Sequence, residues 1–246
     1  MQAENSKQEM QVIILAAGKS SRMNTEKSKL LYNFNGKTII KNVAEACDIS
    51  YISKINLIVG HQSEKIIAEL GNTYSYYYQK DQIGTADALQ VFFKNNESYN
   101  GDLLVLVGDT PNLSKEIIYN LVETFYSNNL DTLITVAFAG NDIPPYSRII
   151  RNEQGKITCI LEGFECNDEQ KMINEVVTSQ YCFKAKHVKP FINKVTPKGQ
   201  NGNYYLNDII NFQIVENLKI DTYKVKNIKS VYGVNIIDDI DFLKRV

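Results

Sequence analysis

The chain is poor in the residues that build metal and disulfide frameworks. It has four cysteines, at positions 47, 159, 166 and 182, and two histidines in 246 residues. No cysteine pair has CxxC spacing, so a zinc site is not expected. A disulfide framework is not expected in a chain this long, and the cysteine usage fits a reducing, cytoplasmic setting. No run approaches 18 consecutive apolar residues, so no segment is expected to span a membrane. The opening MQAENSKQEM has no apolar stretch of the signal-peptide kind, and residues 1–10 are expected to form a disordered tail. Positive charge is not in excess either: the formal net charge is −1. A nucleic-acid partner is therefore not expected, because such domains carry a basic face or stripe. No internal repeat and no Pro/Gly/Ser linker divides the chain. With 43% hydrophobic and 22% charged residues, it has the material for one sizeable core.

What is present is an alternation. QVIILAA (11–17) is a short, β-branched, continuously apolar run, as in a central parallel strand covered on both faces. Apolar residues at Ile39, Ile40, Val43, Ala44 and Cys47 give a helical spacing over 37–48. Strands are expected at 54–60, 74–79, 102–107 and 132–138. Helices are expected at 64–70, stopped by Gly71, at 85–94, and at 114–126, opened by Ser114. This order predicts an α/β fold of the Rossmann-like, doubly wound kind, with a mixed, mainly parallel sheet. Such sheets bind ligands beyond the carboxyl ends of their strands. The second half reads as a hairpin over 148–162 turned at 153–155, a strand at 176–183, helices at 188–195 and 205–217, and a strand at 220–225. These later elements are expected to cover the open face of the sheet as a small lobe of the same domain.

The loop after the first strand carries Gly18–Lys19–Ser20, which invites comparison with an ATP-binding P-loop. That loop needs GxxxxGK[ST], and the position of its first glycine is occupied by Ile13. The dinucleotide pattern GxGxxG is absent too. What remains is a small-residue turn, Leu15–Ala16–Ala17–Gly18, followed by Lys19, Arg22, Lys27 and Lys29. Small residues let a flat base or a phosphate approach the backbone. An arginine grips phosphate oxygens with two donors, and a lysine supplies a point charge. Asp109 follows a buried strand, where one carboxylate can hold Mg²⁺ between substrate phosphates. Gln79 ends a strand with an amide that both donates and accepts. Gly84–Thr85 opens a helix, where backbone N–H groups are free.

Read together, seven ordered blocks resemble the sugar-phosphate nucleotidyltransferases: LAAGKSSRMNTEKSKLL (15–31), QKDQIGTADA (79–88), GDTPNL (108–113), PPYSRII (144–150), ILEGFECNDEQKMINEVVTS (160–179), GNYYLND (202–208) and YGVN (232–235). The nearest branch is the uridylyltransferase domain of the bacterial bifunctional N-acetylglucosamine-1-phosphate uridylyltransferase/glucosamine-1-phosphate acetyltransferases. That branch carries LAAGxGTRMxSxxPKxL, QxxxxGTxxA, GDxPL, GYGRI, EINTG, GExYLTD and a closing GVN. The resemblance implies an NTP and a sugar-1-phosphate as substrates and Mg²⁺ as cofactor. It implies Arg22, Lys29 and Asp109 as catalytic residues and Asp109 with Asn235 as metal ligands. Leu15, Ala16, Ala17, Gly18, Gln79, Gly84 and Thr85 fall at nucleotide-binding positions. Ser147, Glu162, Val177 and Ser179 fall at sugar-binding positions. A nucleotide half of about 11–140 and a sugar half of about 141–246 follow from the order of the blocks, in a monomer or small homo-oligomer.

The departures cluster on the sugar side. Ser147 stands where the branch has glycine, Val177 where it has asparagine, and Ser179 where it has glycine. N-acetylglucosamine-1-phosphate is therefore a less apt acceptor than a non-acetylated hexosamine-1-phosphate. UTP is favoured because Gln79 and Gly84 keep the uracil-associated spacing. A guanylyl- or cytidylyltransferase acting on glucosamine-1-phosphate, another modified sugar or phosphocholine is the alternative. A non-catalytic nucleotide-sugar sensor is the alternative of another class. No hexapeptide repeat follows Asn235, so no acetyltransferase β-helix is expected here.

Overall fold

The computed structural model describes residues 9–23, 27–140 and 144–244. The expected tail lies mostly outside these residues, but its last member belongs to the sheet. Met10 is fully buried and opens the first strand, pairing with Ile52, because an apolar side chain next to Val12 extends the buried face.

In chain order the elements are β1 (Met10–Ala16), a ribbon of β2 (Asn33–Phe34) and β3 (Lys37–Thr38), α1 (Ile39–Ala46), β4 (Ile52–Val59), α2 (Ser63–Leu70), β5 (Ser75–Tyr78), α3 (Thr85–Asn95), β6 (Asp102–Val107), α4 (Lys115–Ser127) and β7 (Thr132–Phe138). Then come β8 (Arg148–Arg151), β9 (Ile157–Leu161), α5 (Asp168–Lys171), β10 (Glu175–Lys184), α6 (Lys189–Ile192), α7 (Leu206–Val215), β11 (Ile220–Val225) and α8 (Ile237–Lys244). Local chemistry sets the boundaries. The Thr38 and Ser114 side chains accept from Lys41 N and Ile117 N and cap α1 and α4. Gly71 ends α2 at φ +78°.

The main sheet runs β11-β7-β10-β6-β1-β4-β5, with the β8–β9 hairpin attached to β10. Strand β1 pairs in parallel with both β4 and β6, and β4 in parallel with β5. Side chains alternate between two cores. Val12, Ile14 and Ala16 pack on one face with α1 and α4, and Ile13 packs on the other with α3 and α7. Helices therefore cover both faces of a mixed, mainly parallel sheet, as in the doubly wound class.

One expectation is corrected. The second half does not simply cover the sheet: β10 enters its middle, antiparallel to both β6 and β7, and β11 forms an edge beside β7. Strand β10 is apolar on both faces (Val176, Val177, Tyr181, Cys182 and Phe183 are all buried), and only a central slot buries both. The helix expected over 188–195 is short, spanning Lys189–Ile192 after a 3-10 turn at Ala185–His187. Helices α5 and α8 were not foreseen. The first rests on a capping box between Asn167 and Gln170, and the second carries Asp238 and Asp239 in its first turn.

Candidate active site

The parallel strands β1, β4, β5 and β6 end on one side; from β1 the chain steps outward to β4 and β5, and α3 then carries it back to β6 on the other side of β1. This switch point is where a doubly wound sheet opens a crevice. Two cavities lie there, of about 230 and 200 Å³, and both are walled by Leu15, Thr85 and Val107.

The first cavity is walled by Ala16, Ala17, Gly18, Gln79, Gly84, Lys29 and Asp109, among others. The loop after β1 is stitched to its neighbours. Leu15 O accepts from Gly108 N at 2.9 Å, and Ala17 O accepts from His61 N at 3.1 Å. Ser20 takes a left-handed conformation (φ +56°) at a position where the resembled branch has glycine. Its hydroxyl accepts from Lys29 N at 3.0 Å, a local hydrogen bond that offsets the strain.

At the mouth of this cavity, Arg22, Lys29, Asp109 and Asn235 converge from distant parts of the chain. Lys29 Nζ forms an ion pair with Asp109 and donates to Val234 O at 2.8 Å. Arg22 donates to the Asn235 side-chain oxygen at 2.8 Å. The closing segment is fixed by several bonds. Val234 N donates to Asp109 O, and Asn235 N and Ile236 N both donate to an Asp239 oxygen. Gly233 packs so closely that a Cβ there would sit 2.9 Å from an Asp109 carboxylate oxygen. The cluster holds two cations and one carboxylate, an arrangement suited to polyanions. Asp109 and Asn235 each aim a hard oxygen at a positive group, the donor type Mg²⁺ takes alongside phosphate oxygens and water. Among the described residues no group of three or more His, Cys, Asp or Glu is placed to hold a metal.

Gln79 and Gly84 sit together, because Gln79 Nε2 donates to Gly84 O at 3.2 Å. The expectation of free N–H groups at the start of α3 is corrected for one of them. Ala86 N donates to Tyr204 O at 3.0 Å, and Thr85 Oγ1 accepts from Leu206 N at 3.0 Å. The segment before α7 thus seals this helix start. Gly84 is required by that seal: its φ is +126°, and a Cβ would lie 2.2 Å from Tyr204 O.

The second cavity collects Ser147, Glu162, Val177 and Ser179, with Tyr146, Tyr181, Tyr205 and Asn207. Its polar groups form a closed network. Ser147 Oγ donates to Glu162 at 2.7 Å, Asn207 Nδ2 donates to the other Glu162 oxygen at 2.8 Å, and Tyr181 OH donates to Asn207 Oδ1 at 3.0 Å. Burial raises the Glu162 carboxyl above the ordinary range, against the lowering effect of the Ser147 and Asn207 hydrogen bonds. Ser179 stands at φ +64°, in a bulge between Val177 and Tyr181. Tyr146 links the two cavities, accepting at its hydroxyl from Gly233 N at 3.1 Å.

All the sequence-derived positions therefore gather beyond the carboxyl ends of the central parallel strands. Asn207, Tyr181 and Tyr146 were not singled out as site residues. Asn207 lies inside the GNYYLND block and Tyr146 inside PPYSRII, which were the available signals.

The MobA-like NTP transferase domain matches residues 12–162. The chain is 32% identical over 224 residues to the bifunctional protein GlmU of Staphylococcus haemolyticus (strain JCSC1435), covering 91% of this chain and 49% of that protein. The chain spans about half the length of the curated relatives it matches. Among solved structures it resembles a UDP-glucose pyrophosphorylase complexed with UDP-glucose, with TM-score 0.74 and 14% identity, covering 95% of this chain and 98% of that one. It also resembles the inositol-1-phosphate CTP transferase from T. maritima, with TM-score 0.68 and 16% identity, covering 97% of each. These likenesses show a shared fold.

Proposed function

Because this chain belongs to the MobA-like NTP transferase domain family, we propose that it transfers a nucleotidyl group from an NTP to a sugar-1-phosphate and releases pyrophosphate. UTP is the favoured donor and a hexosamine-1-phosphate the favoured acceptor. The product is an NDP-sugar for cell-surface glycan, made in the cytoplasm. The observation that carries this reading is the convergence of Arg22, Lys29, Asp109 and Asn235 at the mouth of the first cavity. One cavity receives the base through Leu15, Ala16, Ala17, Gly18, Gln79, Gly84 and Thr85. The other receives the acceptor through Ser147, Glu162, Val177 and Ser179. The nucleotide half of about 11–140 and the acceptor half of about 141–246 then meet at Thr85 and Leu206, which hydrogen-bond across them.

No covalent intermediate on the protein is required. An oxygen of the acceptor's phosphate attacks the α-phosphate in line, its bond to phosphorus forms, and the bond to the leaving pyrophosphate breaks. Catalysis is then positioning and charge stabilisation. Arg22 grips the triphosphate with two donors, and Lys29 turns from Asp109 to the charge that grows on the leaving group. Asp109 and Asn235 hold Mg²⁺, a fit of hard oxygen donors to a hard cation. When bound, the metal supplies neutralising charge to the phosphate oxygens. Glu162 accepts from acceptor hydroxyl or amino groups, held in place by Ser147 and Asn207.

A pyrophosphate-release assay over four NTPs and several sugar-1-phosphates, with and without Mg²⁺, tests the reading. The expected result is Mg²⁺-dependent release, strongest with UTP and glucosamine-1-phosphate. Nucleotide binding with no release in any combination would instead mark a sensor.

A further inference from the structure

Gln79 directly follows β5, with its side chain on the wall of the first cavity and only 3% of the residue exposed. Its amide nitrogen is committed inside the protein. Nε2 donates to Asp87 Oδ2 at 2.7 Å and to Gly84 O at 3.2 Å. Both partners are acceptors. A carboxylate and a backbone carbonyl have no hydrogen to give, so a flipped amide would set oxygen against oxygen twice. The chemistry of the neighbours therefore decides which end of the amide points where. No donor among the described residues reaches Oε1, and Oε1 is not among the buried atoms lacking a partner. It is the end left open to a ligand.

Asp87 is outside the resemblance. The block QxxxxGTxxA leaves its position unspecified, and nothing in the first turn of α3 requires a carboxylate there beyond its favourable place near the helix start.

We propose that Asp87 is a positioning residue for base selection: it locks the Gln79 amide so that only the carbonyl oxygen reads the base. An acceptor at this point pairs with a base whose ring carries an N–H there, as uracil does at N3. Cytosine presents a lone pair at N3, and two acceptors facing each other repel. The proposal rests on the first cavity holding the nucleotide, and it deepens that reading by naming what rejects CTP.

The test is calorimetric binding of UTP and CTP, without acceptor, to the wild type, Asp87→Ala and Asp87→Asn. The wild type is expected to bind UTP about 30-fold more tightly than CTP, the worth of one well-made against one frustrated hydrogen bond. Asp87→Ala frees the amide to turn, and the ratio is expected to fall below about 5-fold, chiefly because CTP binding improves. Asp87→Asn can still accept from Gln79 Nε2 and keeps most of the preference. If Asp87→Ala does not fold, Asp87→Ser carries the same expected loss, since its shorter hydroxyl does not reach the amide. A wild type with equal affinities, or a ratio unchanged within about twofold in the variant, overturns the proposal while the nucleotide reading stands. Failure of the wild type to bind either nucleotide overturns both.

Discussion

The two cavities share three wall residues and work by different physics. The cluster at the first is built from loops. Lys29 is shared between Asp109 and the Val234 carbonyl, and Arg22, which is exposed, holds only the neutral Asn235 amide oxygen. Arg22 can leave the neutral Asn235 for phosphate oxygens without stranding a charge, whereas Lys29 can leave Asp109 only when a cation takes its place there. The second cavity is built on β8, β9, β10 and α7 and has no cation in its wall. Its carboxylate is satisfied by neutral donors. The difference teaches that the first cavity is suited to holding charge and the second to reading shape and short hydrogen bonds, the division of labour that the proposed function needs between donor and acceptor.

The largest effect is expected at the charged cluster. Asp109→Ala should lower kcat by about 10³-fold, the scale of removing a preorganised electrostatic group. The fold should survive, because the tie from Val234 N goes to the backbone oxygen of residue 109, which alanine keeps. Circular dichroism beside the pyrophosphate assay separates the two readouts. An unfolded variant would make Asp109 a structural cap and remove it from the chemistry.

Next comes the seam between the cavities. Gly84→Ala places a Cβ 2.2 Å from Tyr204 O at a φ of +126°. The strain and the displaced segment together should cost about 2–4 kcal/mol of stability. Urea denaturation measures that cost. Because the displaced segment carries Tyr205 and Asn207, affinity for both substrates should weaken. Loss on one side alone would show that the cavities are independent.

Much of this was legible before any coordinates. Strand β1 and its neighbours β4 and β6 announce themselves because strands buried on both faces read as unbroken apolar runs. The cluster was legible as motif order, which carries information across the separation of 213 positions from Arg22 to Asn235. The place of β10 was not legible, since hydrophobic periodicity states which residues are buried and not which strand lies beside which. In the sequence Gly84 reads as the start of a helix with free N–H groups. Its contact with Tyr204 is long-range and leaves no local trace. Asn207 and Asp87 escaped because a lone polar residue on a helix reads as solvated surface until its partners, Glu162 and Gln79, are in place.

At the acceptor side the expected effects are smaller. Glu162→Gln should raise the KM for the acceptor by about 10-fold, one charge-assisted hydrogen bond, with the KM for NTP nearly unchanged. It should also stabilise the fold at neutral pH. The raised carboxyl pKa means that folding favours the protonated form of Glu162. The benefit of that form is fully present below the ordinary carboxylate pKa, about 4.3, and is lost as pH rises through the higher folded value. The ionised group is thus a net cost at neutral pH, and glutamine removes it. Thermal unfolding at pH 7 and at pH 4 checks the sign: the variant's advantage should shrink at the lower pH. A variant less stable at pH 7 would mean that the two hydrogen bonds outweigh the burial.

The finest test of the comparison is Val177→Asn. Val177 is 2% exposed, and its backbone N donates to Ser147 O at 3.0 Å, so the backbone is pinned and only the side chain changes. The two side chains are similar in size, which limits the steric disturbance. Val177 packs into an apolar cluster and the neighbouring polar groups are already bonded to one another, so the new amide should lower stability by about 1–3 kcal/mol in the empty enzyme. An acceptor with a 2-acetamido group would supply the missing partner, whereas a free amine would leave part of the amide unmet. The ratio of kcat/KM for N-acetylglucosamine-1-phosphate over glucosamine-1-phosphate should therefore rise by about 5–10-fold, the worth of one hydrogen bond formed only with the acetylated sugar. Donor selection between UTP and CTP should stay put, because Val177 lines only the second cavity. A shift in donor preference would mean that the two cavities read their ligands jointly, and an unchanged acceptor ratio would take Val177 out of the acceptor's reach.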